Sequence, residues 1–176
     1  MQTHIAKDNY NEARELRGLF EKQLTELYWA EGVMADMLND IIYQAASKDL
    51  VSILRNHVVE TKGHIVRLES IFKAIGIDAH AVKYDAVQCL IKDAESFIDV
   101  TRQGVVRDAG LIAILQKIKH FEISCYGTMR AYAIALREED VVVLLEQTLE
   151  EEKGADLLLS SIAESHINIE AADKEI

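Results

Sequence analysis

Proline is absent from the sequence and glycine occurs only eight times, so the chain has few of the residues that break helices or build tight turns. That absence favours long helices over a turn-rich sheet protein. Cysteine is scarce too: Cys89 and Cys125 are the only two, which excludes a disulfide framework. Positive charge is the other shortage. Nineteen Lys and Arg against thirty Asp and Glu give a net charge of -11 and a pI near 5.0, so neither nucleic-acid phosphates nor an anionic membrane surface is an expected partner. Cations are the expected guests. No apolar run reaches the length of a membrane span, and the start MQTHIAKDNYNEAREL has no apolar core like that of a signal peptide. A cytoplasmic protein is therefore expected. There is no glycine-rich phosphate loop, no CxxC pair and no nucleophile elbow.

What the chain does contain is helical periodicity. At 176 residues, 49% apolar and 28% charged, it has the composition of one folded domain over 1–176. Four long amphipathic segments are expected at about 11–45, 48–75, 109–136 and 141–165, with a shorter helix at 84–100 in the connection between the second and third. Asn9 or Asn11, Ser47 and Asp108 are candidate N-caps, and Gly76 is a stop. The tail NIEAADKEI is expected to be unpacked.

One residue breaks the pattern of the first helix. Phe20, Leu24, Leu27, Glu31, Met34, Leu38, Ile41 and Ala45 form a single seam with a glutamate at its centre. A buried carboxylate costs several kcal/mol unless a cation or donors compensate it. The seam from Leu111 through Leu115, Ile118, Cys125 and Met129 has Glu122 in the same place. Glu60 follows Glu31 by 29 residues and Glu151 follows Glu122 by 29. Shifting the chain by 91 residues lays Glu60-Thr-Lys-Gly63 on Glu151-Glu-Lys-Gly154, Leu24 on Leu115, Leu54 on Leu145 and Ile71 on Ile162. The pattern reads as a duplicated helical hairpin. Two such hairpins form an all-α four-helix bundle with a long crossover between helices 2 and 3.

Four inward carboxylates, Glu31, Glu60, Glu122 and Glu151, would repel one another, and two divalent metal ions would neutralise them. Carboxylates with added nitrogen suit iron, the first choice, and then manganese. Taken singly, each glutamate also reads as a helix-edge residue in a surface ion pair. That reading is strongest for Glu60 and Glu151, which lie at the margins of their apolar faces. Glu26, Glu152 and Asp156 are the competing acids. His57 and His64, about 60° and 40° from Glu60 around the helix, either add nitrogen ligands or are hydrogen-bonded core or surface histidines. His120 is a weaker candidate. Tyr28 and Tyr126 lie one turn from Glu31 and Glu122 and either hydrogen-bond the carboxylates or are core aromatics.

The stretches LYWAE, HVVETKGH, KHFEISCYGT and TLEEEKGAD resemble motifs of the bacterial YciE/YciF-like proteins of the ferritin-like superfamily, over roughly residues 18–165. The resemblance implies an up-down-down-up bundle, a homodimer and a carboxylate-bridged dimetal centre that meets oxygen or peroxide, or handles metal, under stress. Apolar residues on more than one face of the 109–136 helix, such as Ile114 and Ile123, also point to a dimer. In related dimetal proteins a histidine follows the glutamates of helices 2 and 4 by three residues, where this chain has Gly63 and Gly154. A noncatalytic dimeric stress or scaffold protein with a degenerate site is therefore the competing expectation. An iron-storage cage is disfavoured by the resemblance.

Overall fold

The computed structural model describes residues 15–174, and every regular element among them is helical. Helix α1 spans Leu16–Ile42 and α2 spans Lys48–Ile75. The caps proposed at Asn9 and Asn11 lie outside the described residues. Ser47 caps α2, its Oγ accepting from the Leu50 N–H at 3.4 Å. Gly76 ends the helix at φ 74°, left-handed backbone that glycine adopts without steric cost. The Gly76 and Ile77 amides then donate back to carbonyls of the last turn.

Helix α3, Asp85–Val100, lies in the crossover and buries Val87, Ile91 and Ala94. It packs closely on α4, Val105–Ala135. A Cβ at Gly110 of α4 would fall 2.0 Å from the Phe97 ring, so only glycine permits this approach. Arg107 fastens the crossover, donating to the Ile98 carbonyl at 3.1 Å and to Gln44 Oε1 at 2.8 Å.

Asp108 does not cap α4, which begins three residues before it. Its buried carboxylate instead accepts from the backbone N–H groups of Ala46 and Ser47, at 2.9 and 2.7 Å, and so caps the start of α2. The starts of α2 and α4 are thereby fixed at one end of the bundle. At the other end Arg17, in the first turn of α1, pairs with Glu138 just before α5, Glu139–Ile162. The order is up-down-down-up, with the crossover running the length of the bundle.

Beyond α5 the tail expected to be unpacked is helical over Asn168–Asp173, although it buries no residue of its own. A π-helical turn, Ala163–Ile167, buries Ala163 and Ile167 and leads into α6, Asn168–Asp173, which lies against α4.

Buried apolar side chains form two clusters. Met34, Leu38, Leu54, Leu111, Leu115 and Leu159 belong to one, and Phe20, Leu24, Leu68, Phe72, Met129 and Leu145 to the other. Residues 91 apart fall in opposite clusters: Leu24 against Leu115, Leu54 against Leu145. A twofold axis across the bundle would exchange them in this way. Between the clusters lies a buried polar layer.

Replacing Asp108 by Ala should lower stability by about 3 kcal/mol, because two charge-assisted hydrogen bonds to the amides at the start of α2 are lost. Urea unfolding should show this as a lower midpoint at unchanged m-value.

Candidate metal centre

All four bundle helices contribute to the polar layer. Helix α1 brings Glu31, α2 brings His57, Thr61 and His64, α4 brings Lys119 and Glu122, and α5 brings Thr148 and Glu152, all buried. Each lies at three- or four-residue spacing from its helix's apolar seam, which is why the fold turns it inward.

The expected quartet divides. Glu31 and Glu122 are in the layer. Glu60 and Glu151 stand at its rim, with side chains 42% and 28% exposed, and Glu152 takes the inward place on α5. Neighbouring helical residues differ by about 100° in direction, so one position separates rim from core. Each rim glutamate faces an imidazole. Glu60 Oε2 lies 3.3 Å from His57 Nδ1, and Glu151 Oε2 lies 3.0 Å from His64 Nε2. Glu151 is itself held by Arg67, at 2.6 and 2.8 Å. A carboxylate on the outer nitrogen orients an imidazole and fixes which nitrogen faces inward.

His64 Nδ1 accordingly turns into the layer, 3.2 Å from Glu152 Oε1 and 3.5 Å from Glu31 Oε2. None of these three buried atoms has a partner in hydrogen-bonding geometry. They lie within 4.8 Å of one another and suit a single cation. Buried polar atoms without a hydrogen bond are costly, and three converging at one point suit either a proton held by His64 between the carboxylates or a metal ion. The other Glu31 oxygen accepts from the buried Tyr126 hydroxyl. Tyr28 does not reach the layer: its hydroxyl donates to Glu69 at the surface, at 2.9 Å. His120 is exposed and faces Asp156.

Lys119 was not anticipated. Its ammonium, 2% exposed, contacts His57 Nε2, Glu122 Oε2 and Glu152 Oε2 together. Burial opposes its charge, but Glu122 and Glu152 outweigh that and raise its pKa. Burial likewise opposes ionisation of Glu122, yet Lys119, with both histidines, holds its pKa below the ordinary value. Glu152 is pushed well above by burial and by the Glu122 charge. Burial also works against protonated His64, but Glu31 and then Glu122 raise its pKa. His57, buried beside Lys119, goes down. Burial and the Glu122 charge lift the Cys125 thiol to about 12, which removes it as a thiolate nucleophile.

An up-down-down-up helical bundle enclosing a buried carboxylate and histidine layer defines a ferritin-like protein with a candidate metal centre. Within that class, residues 15–172 match the family described as a domain of unknown function, DUF892, and the chain belongs to it. It is 32% identical to protein YciF of Escherichia coli over 162 residues, 92% of this chain and 98% of that one. The crystal structure of YciF, described as a stress protein, superposes with a TM-score of 0.84 at 31% identity, covering 88% of this chain and 98% of YciF. YcfI of Rhodopseudomonas palustris, proposed to be a structural protein, gives 0.81 at 34% identity, covering 85% and 96%. No helix among the described residues is long and apolar enough to cross a membrane.

Conservative variants test the register of the layer. Glu152→Gln should abolish Mn(II) binding in calorimetry, whereas Glu151→Gln should keep its stoichiometry and weaken it by about 10–100-fold through loss of imidazole orientation. Tyr28→Phe should bind as the wild type does.

Proposed function

We propose that the chain is a stress-response protein that binds a divalent metal in its polar layer and uses it to handle oxygen, peroxide or the metal itself. One observation carries this reading: Glu31 Oε2, His64 Nδ1 and Glu152 Oε1 are buried, convergent and without a hydrogen bond. Two carboxylate oxygens and an imidazole nitrogen suit iron first and manganese second. How many ions the layer admits depends on Lys119. A bound ion would supply Lewis acidity and, as iron or manganese, redox chemistry.

The rest of the work falls to the chain. Tyr126 fixes Glu31 by donating to its Oε1, and Glu151 fixes His64. The apolar clusters above and below bury the layer, and the lower local dielectric strengthens the electrostatic contacts inside it. The stress role is motivated by the description of YciF.

The competing reading is a noncatalytic dimeric scaffold, favoured by the lysine inside the layer and by the structural role proposed for YcfI. A homodimer belongs to both readings. Ile114 gives it no support, being buried within the chain, whereas Val59 and Val66 of α2 and Leu157 and Leu158 of α5 are exposed. Sedimentation at several concentrations would test the dimer.

Protein purified without chelator should contain metal, and after anaerobic loading with Fe(II) it should consume oxygen or peroxide. Glu31→Ala should lose both properties. Equal metal stoichiometry and affinity in wild type and Glu31→Ala would leave the scaffold reading. Acid should oppose binding. His64 and Glu152 both have raised pKa values, so the metal-free centre holds protons that the metal must displace. Affinity should therefore rise with pH, and continue to rise above the ordinary histidine value of 6.5. Calorimetry in buffers of different ionisation enthalpy should register the released protons.

A further inference from the structure

Two sets of donors in the layer are close enough to hold an ion: Glu31, His64 and Glu152, and His57, Glu122 and Glu152. They differ in what already touches them. In the first set the three atoms lack a hydrogen bond and face only one another, His64 Nδ1 lying 3.2 and 3.5 Å from the two carboxylates. In the second a cation of the chain already stands among the donors: the Lys119 ammonium lies against His57 Nε2, Glu122 Oε2 and Glu152 Oε2, although Glu122 Oε2 too lacks a hydrogen bond. That ammonium is enclosed by the bundle, and no shift of an exposed side chain would vacate its place.

The duplication gives the same answer independently. The 91-residue shift carries Glu31 onto Glu122, His64 onto Ala155 and Thr61 onto Glu152. The counterpart of the first donor set is therefore Glu122, Ala155 and Thr61. Only one of its three members is a strong metal ligand, since an alanine offers none and a threonine hydroxyl is a weak one. The half whose counterparts of His64 and Glu152 are an alanine and a threonine is the half where Lys119 reaches Glu122.

We propose that the layer admits one divalent cation, at Glu31 Oε2, His64 Nδ1 and Glu152 Oε1, and that the Lys119 ammonium permanently takes the place of a second. This inference rests on the reading of the layer as a metal centre. Glu152 then joins the two halves, one oxygen facing the cation site and the other held by Lys119. His57 is a partner of the lysine and not a ligand.

Mn(II) titration of chelator-stripped protein, followed by equilibrium dialysis and electron paramagnetic resonance, tests the count. Wild type should saturate at one Mn(II) per chain and give the hyperfine pattern of an isolated ion. His57→Gln should keep that count and His64→Gln should lose it. Lys119→Ala should admit a second Mn(II) beside Glu122 and His57 and show exchange coupling between the ions. Two coupled Mn(II) ions in wild type would overturn the inference while leaving the metal-centre reading intact, and no binding at all would overturn both. A Lys119→Ala protein that folds and still takes one ion would also overturn it. Should Lys119→Ala not fold, the wild-type count and the histidine pair decide: one ion kept in His57→Gln and lost in His64→Gln upholds the proposal, and the reverse refutes it.

Discussion

Three glutamates and one lysine share a buried layer in the middle of this bundle, and the surrounding structure has to hold them there. Glu31, Glu122 and Glu152 together could carry three negative charges, against one on Lys119. Bringing such groups out of water costs several kcal/mol each, and their attraction repays it only if geometry and hydrogen bonding are good. The excess negative charge is relieved in part by protons, which is why Glu152 and His64 both have raised pKa values. A divalent cation would relieve it more completely. The apolar clusters on either side supply the favourable free energy that lets the layer persist. They also pin each helix above and below it, so that no helix can turn to release its charge to solvent.

The helices themselves were legible because apolar periodicity and the absence of proline point the same way. Glu31 and Glu122 were legible for a related reason: each sits in a seam whose other members are unambiguously apolar. Helix α5 was harder. Glu150, Glu151 and Glu152 are consecutive, and matching the repeated Glu-x-Lys-Gly string selects Glu151. The seam itself selects Glu152, which falls three residues after Leu149 and seven before Leu159. The repeat was therefore informative about common descent but not about which residue points inward. Glu60 and Glu151 do correspond, as rim residues that each face a histidine.

Lys119 and Thr61 went unread because neither residue type suggests a core position, although the spacing was there. Lys119 lies one turn before Glu122 on the same face, and Thr61 lies midway between His57 and His64. Polar residues at seam spacing are informative when they occur at the same level of several helices, as they do here. Asp108 failed differently. Its position near a helix start suggested a local cap, but its carboxylate satisfies the neighbouring helix, a long-range contact that no local pattern encodes.

The duplicated hairpin has kept its symmetry in the apolar clusters and lost it in the layer. Apolar packing tolerates exchange of one aliphatic residue for another, so seams drift without losing their function. A charged layer has no such tolerance, because a ligand lost from one half leaves its partners buried and uncompensated. Only certain replacements are then acceptable, and a lysine is one of them: its long apolar stem packs in the seam while its ammonium meets Glu122 and Glu152. An ammonium carries one charge where a divalent ion carries two, but it is covalently tethered and cannot dissociate. One charge of the layer is therefore neutralised within the chain, independent of metal supply. The rest, at Glu31, His64 and Glu152, is left to protons, and a metal bound there would exchange with them.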